Sequence, residues 1–297
     1  MKISIIGSNG FLTKSIASYS NLNNYDLIIV GRSNPRNYNY KKFYKIDLLI
    51  DEIPFDEILK SDIIIYAAGA GIQSNLNESS SLIYDLNVLV PVKICTSLNK
   101  LKFNGSFVSF GSYFEIGSNL LNNKFDELEL IQSSNPISSD YSISKRMLTR
   151  FISSSKFSFK TWHFILPTIY GEYESNHRLI PYVLNSIKTK TKLKLTSGTQ
   201  VRQYIYVDEI SKIIFKALDK KLNSGIYNIE GTETLSVKEL VFSLHKLFNK
   251  QFDSKIFGKV SRADSNMQIL KLNGAKLMSE INYIPSIKIS DVYEKYK

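Results

Sequence analysis

Short apolar runs alternate with amphipathic stretches through the N-terminal half of the chain. Ile3–Ile6 predicts a strand, Phe11–Tyr19 a helix, Asp26–Val30 a second strand and Phe43–Ile46 a third. Asp62–Ala67 predicts a fourth strand, ending in Ala67-Ala68-Gly69. A helix over Ser80–Asn99 leads to a fifth strand over Ser106–Phe110, which closes on Gly111-Ser112. A helix over Asp140–Ser154 and a strand over Phe159–Leu166 complete the series. Continuous apolar strands that alternate with helices belong to a parallel sheet covered on both faces. The expected fold class is therefore α/β, doubly wound.

Beyond Pro167 the pattern loosens. Tyr170–His177 predicts a loop, Arg178–Lys188 a helix, Val201–Val207 a strand and Glu209–Leu218 a helix. Ser236–Phe248 predicts a last helix, followed by a variable tail, and there is no internal repeat or long linker. The division this suggests is a nucleotide-binding domain over residues 1–166 plus about 200–230. A smaller C-terminal substrate-binding lobe takes about 167–199 and 231–297.

At 297 residues and 43% hydrophobic content, the chain is long and apolar enough to build real cores. No apolar stretch approaches the length of a bilayer span, so no membrane association is expected. The run Ile3–Ile6 is too short for the apolar segment of a secretory signal and reads as a buried strand. Cys95 is the single cysteine, which excludes a disulfide framework and suits a reducing cytoplasm. His163, His177 and His245 are scattered without ligand spacing, so no metal is assigned. The formal charge of +11 fits either a nucleic-acid binder or a lysine-rich composition spread over the surface. No dense Lys/Arg block interleaves with stacking aromatics, and no nucleic-acid partner is expected. A basic surface also suits a polyanionic small molecule.

Gly7-Ser8-Asn9-Gly10-Phe11-Leu12-Thr13 stands between the first strand and the first helix. Glycines there let the backbone turn tightly and approach a pyrophosphate, which meets free N–H groups at the helix start. Gly7, Asn9, Gly10, Phe11 and Leu12 are the expected contacts; an ordinary tight turn is the alternative. Thr13 occupies the position where the usual pattern has its third glycine, an exchange expected to loosen helix–strand packing without abolishing binding. The second strand ends in Gly31-Arg32-Ser33, where an NAD site usually has Asp or Glu. Arg32 and Ser33 favour a 2′-phosphate, hence NADP(H) over NAD(H), unless Arg32 is only a solvated surface residue. Asp47 and Leu48, after the third strand, either meet the adenine or hold a turn.

Tyr141 and Lys145 are four residues apart and share one helix face. A free phenol titrates near 10, and bringing it close to neutrality takes roughly 4 kcal/mol. A nearby ammonium and an oxidised nicotinamide are the charges that would stabilise the phenolate. Ser112 would hydrogen-bond the substrate oxygen beside Tyr141. By itself Tyr-x-x-x-Lys is as readily a packed phenol and a solvated amine.

Taken together, the phosphate loop, Ala67-Ala68-Gly69, Gly111-Ser112 and Tyr141-Ser142-Ile143-Ser144-Lys145 resemble the extended short-chain dehydrogenase/reductase family. Ile169-Tyr170-Gly171, the stretch Gly198–Asp208, Gly225–Ile229 and Arg262-Ala263-Asp264 extend the likeness to its nucleotide-sugar branch, across nearly the whole chain. The resemblance implies a Rossmann-like fold, Ser112, Tyr141 and Lys145 as catalytic residues, and hydride exchange at a sugar carbon. It implies cofactor contacts from Ala67, Ala68, Gly69, Tyr141 and Lys145. Asn87 matches a family asparagine near the nicotinamide, or is a polar helix residue. Ser112, Tyr113, Thr168, His177, Ile180, Arg202, Tyr204 and Arg262 are the implied substrate contacts. Arg202 and Arg262 would pair with a diphosphate, the alternative for each being a surface ion pair. The family's 4,6-dehydratases carry Thr-Asp-Glu where this chain has Ser112-Tyr113-Phe114, without an acid–base pair for elimination. Two readings remain: a 4-epimerase that keeps NAD, and a 4-ketoreductase that consumes NADPH. The likeness is greatest to the reductases that make CDP-abequose and CDP-paratose for surface polysaccharide. Departures are His163–Leu166, where relatives often have an arginine, and Thr168 in place of an asparagine. The family also implies a homodimer packed through the Ser80–Asn99 and Tyr141–Ser154 helices. A non-catalytic dinucleotide- or RNA-binding protein of the same fold is the reading from a different class.

Overall fold

Isoleucine, valine and phenylalanine fill the central strands on both faces, as a parallel sheet between two helical layers requires. The computed structural model describes residues 1–72, 76–260 and 267–296. In chain order the strands are β1 (Lys2–Ile6), β2 (Asp26–Gly31), β3 (Lys42–Lys45), β4 (Ile63–Tyr66), β5 (Ser106–Ser112) and β6 (Lys160–Leu166). They continue with β7 (Thr168–Tyr170), β8 (Val201–Tyr206), β9 (Gly225–Asn228), β10 (Glu233–Ser236) and β11 (Ile269–Leu270). The helices are α1 (Phe11–Leu22), α2 (Phe55–Ile58), α3 (Ser80–Tyr84), α4 (Val90–Lys100), α5 (Glu127–Gln132) and α6 (Asp140–Ser154). After them come α7 (Leu179–Thr189), α8 (Val207–Asp219), α9 (Val237–Leu247), α10 (Ala275–Ile281) and α11 (Ile289–Val292).

Seven strands form the main sheet in the order β3-β2-β1-β4-β5-β6-β9, and every neighbouring pair is parallel. The Rossmann-like, doubly wound expectation is met. One face buries Ile3, Ile5, Val108 and Trp162 against Ile16 of α1 and Ile210 and Ile214 of α8. The other buries Ile6, Val30, Ile64 and Phe107 against Ile94 of α4 and Leu148 of α6. Full burial of each such side chain is worth about 1.5–3 kcal/mol, which explains why these faces hold the layers together. A second, smaller sheet is centred on β8, which pairs antiparallel with β10 and parallel with β7 and β11.

The sheet reverses its winding at β1. The chain runs outward to β2 and β3, then returns to the other side of β1 as β4. A crevice opens at such a reversal, beyond the carboxyl ends of the strands. Gly7 and Ala67–Gly69 stand at those ends, and the ladder continues into them through Ala67 N–H to the Ile6 carbonyl at 2.8 Å.

Two expectations need correcting. α3, a π turn over Asp85–Leu89 and α4 make one 21-residue helix, Ser80–Lys100, which contains an 18-residue stretch of mean hydropathy 1.3. Length and apolarity alone would let it cross a membrane, contrary to the sequence reading. Its apolarity serves packing: Val90, Ile94, Cys95 and Leu98 are buried in the layer that α6 shares. The tail beyond Phe248, for which the sequence reading assigned no elements, supplies β11, α10 and α11. Their apolar positions are too few and short to show a period, and Leu277 and Ile281 gain meaning only against the main sheet.

Candidate active site

Gly7 has φ +115°, a region that favours glycine, and a Cβ there would stand 2.7 Å from the Ala68 nitrogen. Two loops therefore meet backbone to backbone at the winding reversal. Thr13, buried on α1, donates its hydroxyl to the Gly7 carbonyl at 2.8 Å and locks the turn. Threonine here closes the loop rather than loosening the packing. No side chain caps α1, so its first N–H groups are left for a ligand. This cradle fits the pyrophosphate of a dinucleotide. Phe11 and Leu12, half-buried, begin the helix.

Asn9 ties the turn to the segment after β2. Its amide donates to Ser33 Oγ at 3.0 Å and the Asn34 carbonyl at 2.8 Å, and its Oδ1 accepts from Arg36 N–H at 3.1 Å. Arg32 and Ser33 are thereby held exposed beside the loop. Asp47 takes the turn-holding alternative, its carboxylate accepting the Leu49 N–H at 3.0 Å. Leu48 packs against the core face that contains Val30 and Ile64.

Ser112 ends β5, and Tyr141 and Lys145 lie in the first two turns of α6, which packs along that strand. The three side chains come together, with Ser112 facing the Tyr141 phenol. Lys145 Nζ donates to the Phe110 carbonyl at 2.9 Å and stands 5.9 Å from the centre of the Tyr141 ring. Burial pushes the phenol up to about 12, against the pull of Ser112 and the Arg178 guanidinium. Burial also holds the Lys145 ammonium down, to about 8, while the Glu115 carboxyl works to raise it. The sequence reading expected a lowered phenol. That expectation drew on an oxidised nicotinamide as well as the ammonium; among the chain's own groups, burial is the larger effect.

Asn87 lies in the π turn and is fully buried. Its amide donates to the Ala70 carbonyl and Ser144 Oγ, both at 2.9 Å, and its Oδ1 accepts the Ala70 N–H at 3.0 Å. It ties the end of the β4 loop to the Tyr141 helix, and the π turn, a frequent feature of functional sites, sets it there.

Tyr113 is buried, its hydroxyl bonded to Thr168 Oγ1. Arg202 does not lie on the surface: it is buried, donates to the Val201 carbonyl at 2.9 Å and lies over the Phe114 ring. Tyr204 and Ile180 belong to the core of the second sheet, 2% exposed each, so they shape the lobe from behind. His177 points to solvent. Its neighbour Arg178, which the motifs did not single out, reaches inward instead. Arg178 pairs with Glu174 at 2.7 Å, donates to the Ile169 carbonyl at 2.9 Å and lies over the Phe11 ring. The two are neighbours in the turn before α7, where Arg178 is the extended N-cap, so the path of that turn and not a helical period decides which of them faces inward. Arg262 lies outside the described residues.

Glu115 was also missed. It is fully buried, and its Oε1 accepts the Ser112 N–H at 2.7 Å in a capping box. The sequence signal was available: Ser112 followed three residues on by Glu115 is the capping-box spacing.

Residues 3–229 match the NAD dependent epimerase/dehydratase family. A CDP-abequose synthase of Salmonella muenchen is 30% identical over 104 residues, 34% of this chain and 35% of that protein. A dTDP-D-glucose 4,6-dehydratase of Dictyostelium discoideum is 27% identical over 78% of this chain and 58% of its own length. The chain thus spans well under two thirds of either protein. A CDP-abequose synthase of Salmonella typhimurium is 23% identical over 92% of this chain and 90% of its own. Among solved structures, a dTDP-glucose 4,6-dehydratase of Streptomyces venezuelae with NAD bound superposes with a TM-score of 0.83 at 18% identity, covering 100% of this chain and 95% of that one. A UDP-glucose 4-epimerase of Thermus thermophilus in complex with NAD superposes at 0.82 with 16% identity, covering 98% and 96%. With the family match over residues 3–229 and a sheet, loop and Ser-Tyr-Lys cluster of the expected kind, the chain belongs to the NAD-dependent epimerase/dehydratase family.

Proposed function

We propose that the protein reduces the 4-keto group of a CDP- or dTDP-linked deoxyhexose with NADPH, in the synthesis of a surface-polysaccharide sugar. The carrying observation is the turn after Ser112. Tyr113 bonds Thr168 and Phe114 lies against Arg202, so the two positions after the serine offer no carboxyl pair to eliminate water. What the site retains is a hydrogen-bonding serine, a phenol and an ammonium.

A reduced nicotinamide, when bound, supplies the hydride. Ser112 holds the ketone oxygen beside the Tyr141 phenol, and Tyr141 donates its proton to the oxygen that becomes a hydroxyl. A phenol held near 12 stays protonated at working pH, which suits a donor. Lys145, anchored on Phe110, places positive charge beside the phenolate that remains. Gly7, Gly10, Phe11 and Leu12 would hold the dinucleotide phosphates, and Arg32 with Ser33 a 2′-phosphate. Arg202 and Arg178 would pair with the sugar diphosphate. Leu89 and Met147 are exposed on the two helices through which a homodimer would pack.

The CDP-abequose synthases among the relatives support this reading. The test mixes protein with NADPH or NADH and a panel of CDP-, dTDP-, GDP- and UDP-linked 4-keto-6-deoxysugars. Stoichiometric loss of reduced-nicotinamide absorbance is expected. Isomerisation of a nucleotide sugar without net oxidation assigns a 4-epimerase instead. Silence from every sugar, with dinucleotide bound, leaves a binding protein.

A further inference from the structure

A cavity of about 670 Å3 opens toward the other end of the main sheet, between α5, the end of α6 and the outer strand β9. No step of the proposed chemistry passes through it. In the register of β5 and β6, Phe107 stands beside Thr161 and Ser112 beside Leu166. Thr161 lines the cavity, so five residues of strand, about 16 Å, separate it from the catalytic serine. The volume is that of a small-molecule site, which combines apolar walls with a few polar groups. Ile152, Phe157, Phe159 and Ile226 supply the walls. Phe157 and Phe159 stack with ring centres 5.0 Å apart, and Phe157 is only half-buried. Thr161 is 4% exposed, and its hydroxyl finds no protein partner. A buried hydroxyl costs stability unless a group in the cavity answers it.

The charged groups of the lining are Lys156, Lys276 and, as its one carboxylate among the described residues, Glu127. Both lysines are exposed. Lys276 Nζ donates to the Ile226 carbonyl at 3.0 Å and stands 4.3 Å from the centre of the Tyr227 ring. It is thereby fixed on the outer edge of β9 with further N–H groups to give. Glu127 Oε1 is already occupied, accepting the Asn228 N–H at 2.9 Å. Two ammonium groups against one carboxylate leave the lining positive, which selects an anion. We propose that this cavity is a second small-molecule site and takes an aromatic acid. The ring lies against Phe157 and Phe159, the acid group meets Lys276, and a polar atom at the far end of the ligand pairs with the Thr161 hydroxyl. Apolar contact supplies the affinity, and the lysine and threonine fix the orientation.

The test needs no sugar. Fluorine NMR follows 3-fluoro-4-hydroxybenzoate as it is titrated with the full chain, the dinucleotide cleft being saturated with NADPH. One saturable site is expected, with Kd on the order of 1 mM or tighter for a ligand of this size. Thr161→Val keeps the shape and removes the hydroxyl, and should weaken binding about two- to tenfold. Ser153 lines the cavity from an exposed position on α6. Ser153→Trp should therefore fill the site and abolish binding, with NADPH affinity unchanged as the sign of an intact fold. It serves also if Thr161→Val does not fold. The uncharged methyl ester should bind about threefold more weakly or worse, and the gap should narrow at high salt. No saturable binding overturns the proposal, as does equal binding by the parent and Ser153→Trp. A probe that binds only in the absence of NADPH lies in the cofactor cleft and overturns it too. An ester that binds as tightly as the acid removes the anion from the assignment.

Discussion

The Lys145 ammonium donates to the carbonyl of Phe110 at 2.9 Å, so the C-terminal end of strand β5 holds the cation of helix α6 in place. That bond fixes one N–H of the lysine and leaves the others for the phenol side of the site. A lysine pinned this way works as a fixed charge, and fixed charge costs no reorganisation when the phenol gives up its proton.

The first prediction concerns the proton itself. Tyr141→Phe removes the donor hydroxyl and keeps the ring that packs beside Lys145. Turnover should fall about 100- to 10,000-fold, the usual worth of a placed general acid. Isothermal titration should find dinucleotide affinity within a factor of about three, because uncharged ring contacts are retained. Retained turnover would remove Tyr141 from the mechanism.

Gly7→Ala should fail for a steric reason. The new Cβ would meet the Ala68 nitrogen at 2.7 Å and the Ala67 carbonyl carbon at 2.9 Å, both backbone, at a φ of +115°. Destabilisation of about 1–3 kcal/mol is expected from the overpacking, together with weaker dinucleotide binding. Thermal denaturation and cofactor titration read the two effects separately. A variant with unchanged melting and affinity would show that the two loops need not touch.

Cofactor choice can be tested at one exposed residue. Arg32→Ala should weaken NADPH binding roughly ten- to a hundredfold, the worth of one charged hydrogen bond, and leave NADH nearly unaffected. Equal losses for both dinucleotides would place Arg32 away from the 2′ position.

Two fully buried titratable groups, Glu115 and His163, predict a pH signature in stability. Glu115 is raised in the folded state, so its contribution is full below the unfolded carboxyl value and is lost as pH rises through about 7. His163 is depressed to about 3, so its contribution is present above the unfolded imidazole value and is lost as pH falls. Between roughly pH 4.5 and 6.5 the two slopes oppose each other. Glu115→Gln removes one of them. Relative to the parent, its unfolding free energy should climb by up to about 1.4 kcal/mol per pH unit across that window. Urea titrations at several pH values give the difference directly, and parallel curves would mean that Glu115 keeps an ordinary carboxyl.

What the sequence determined by itself was local or periodic. Continuous apolar strands fixed the main sheet, and the Asp140–Ser154 helix has the same bounds in both readings. The glycine turn after β1 and the four-residue spacing of Tyr141 and Lys145 were legible because each depends only on neighbours in the chain. Tertiary structure decided whatever depends on which way a side chain finally faces. It turned His177 to solvent and Arg178 inward, and it buried Ile180 and Tyr204 in the second core. It spent the Asn87 amide on Ala70 and Ser144, set the Glu115 carboxyl under the Ser112 N–H and set the His163 imidazole of β6 against Thr149 of α6. Burial, rather than residue type, then set the proton affinities of that group, because the cost of a charge depends on the water removed from around it.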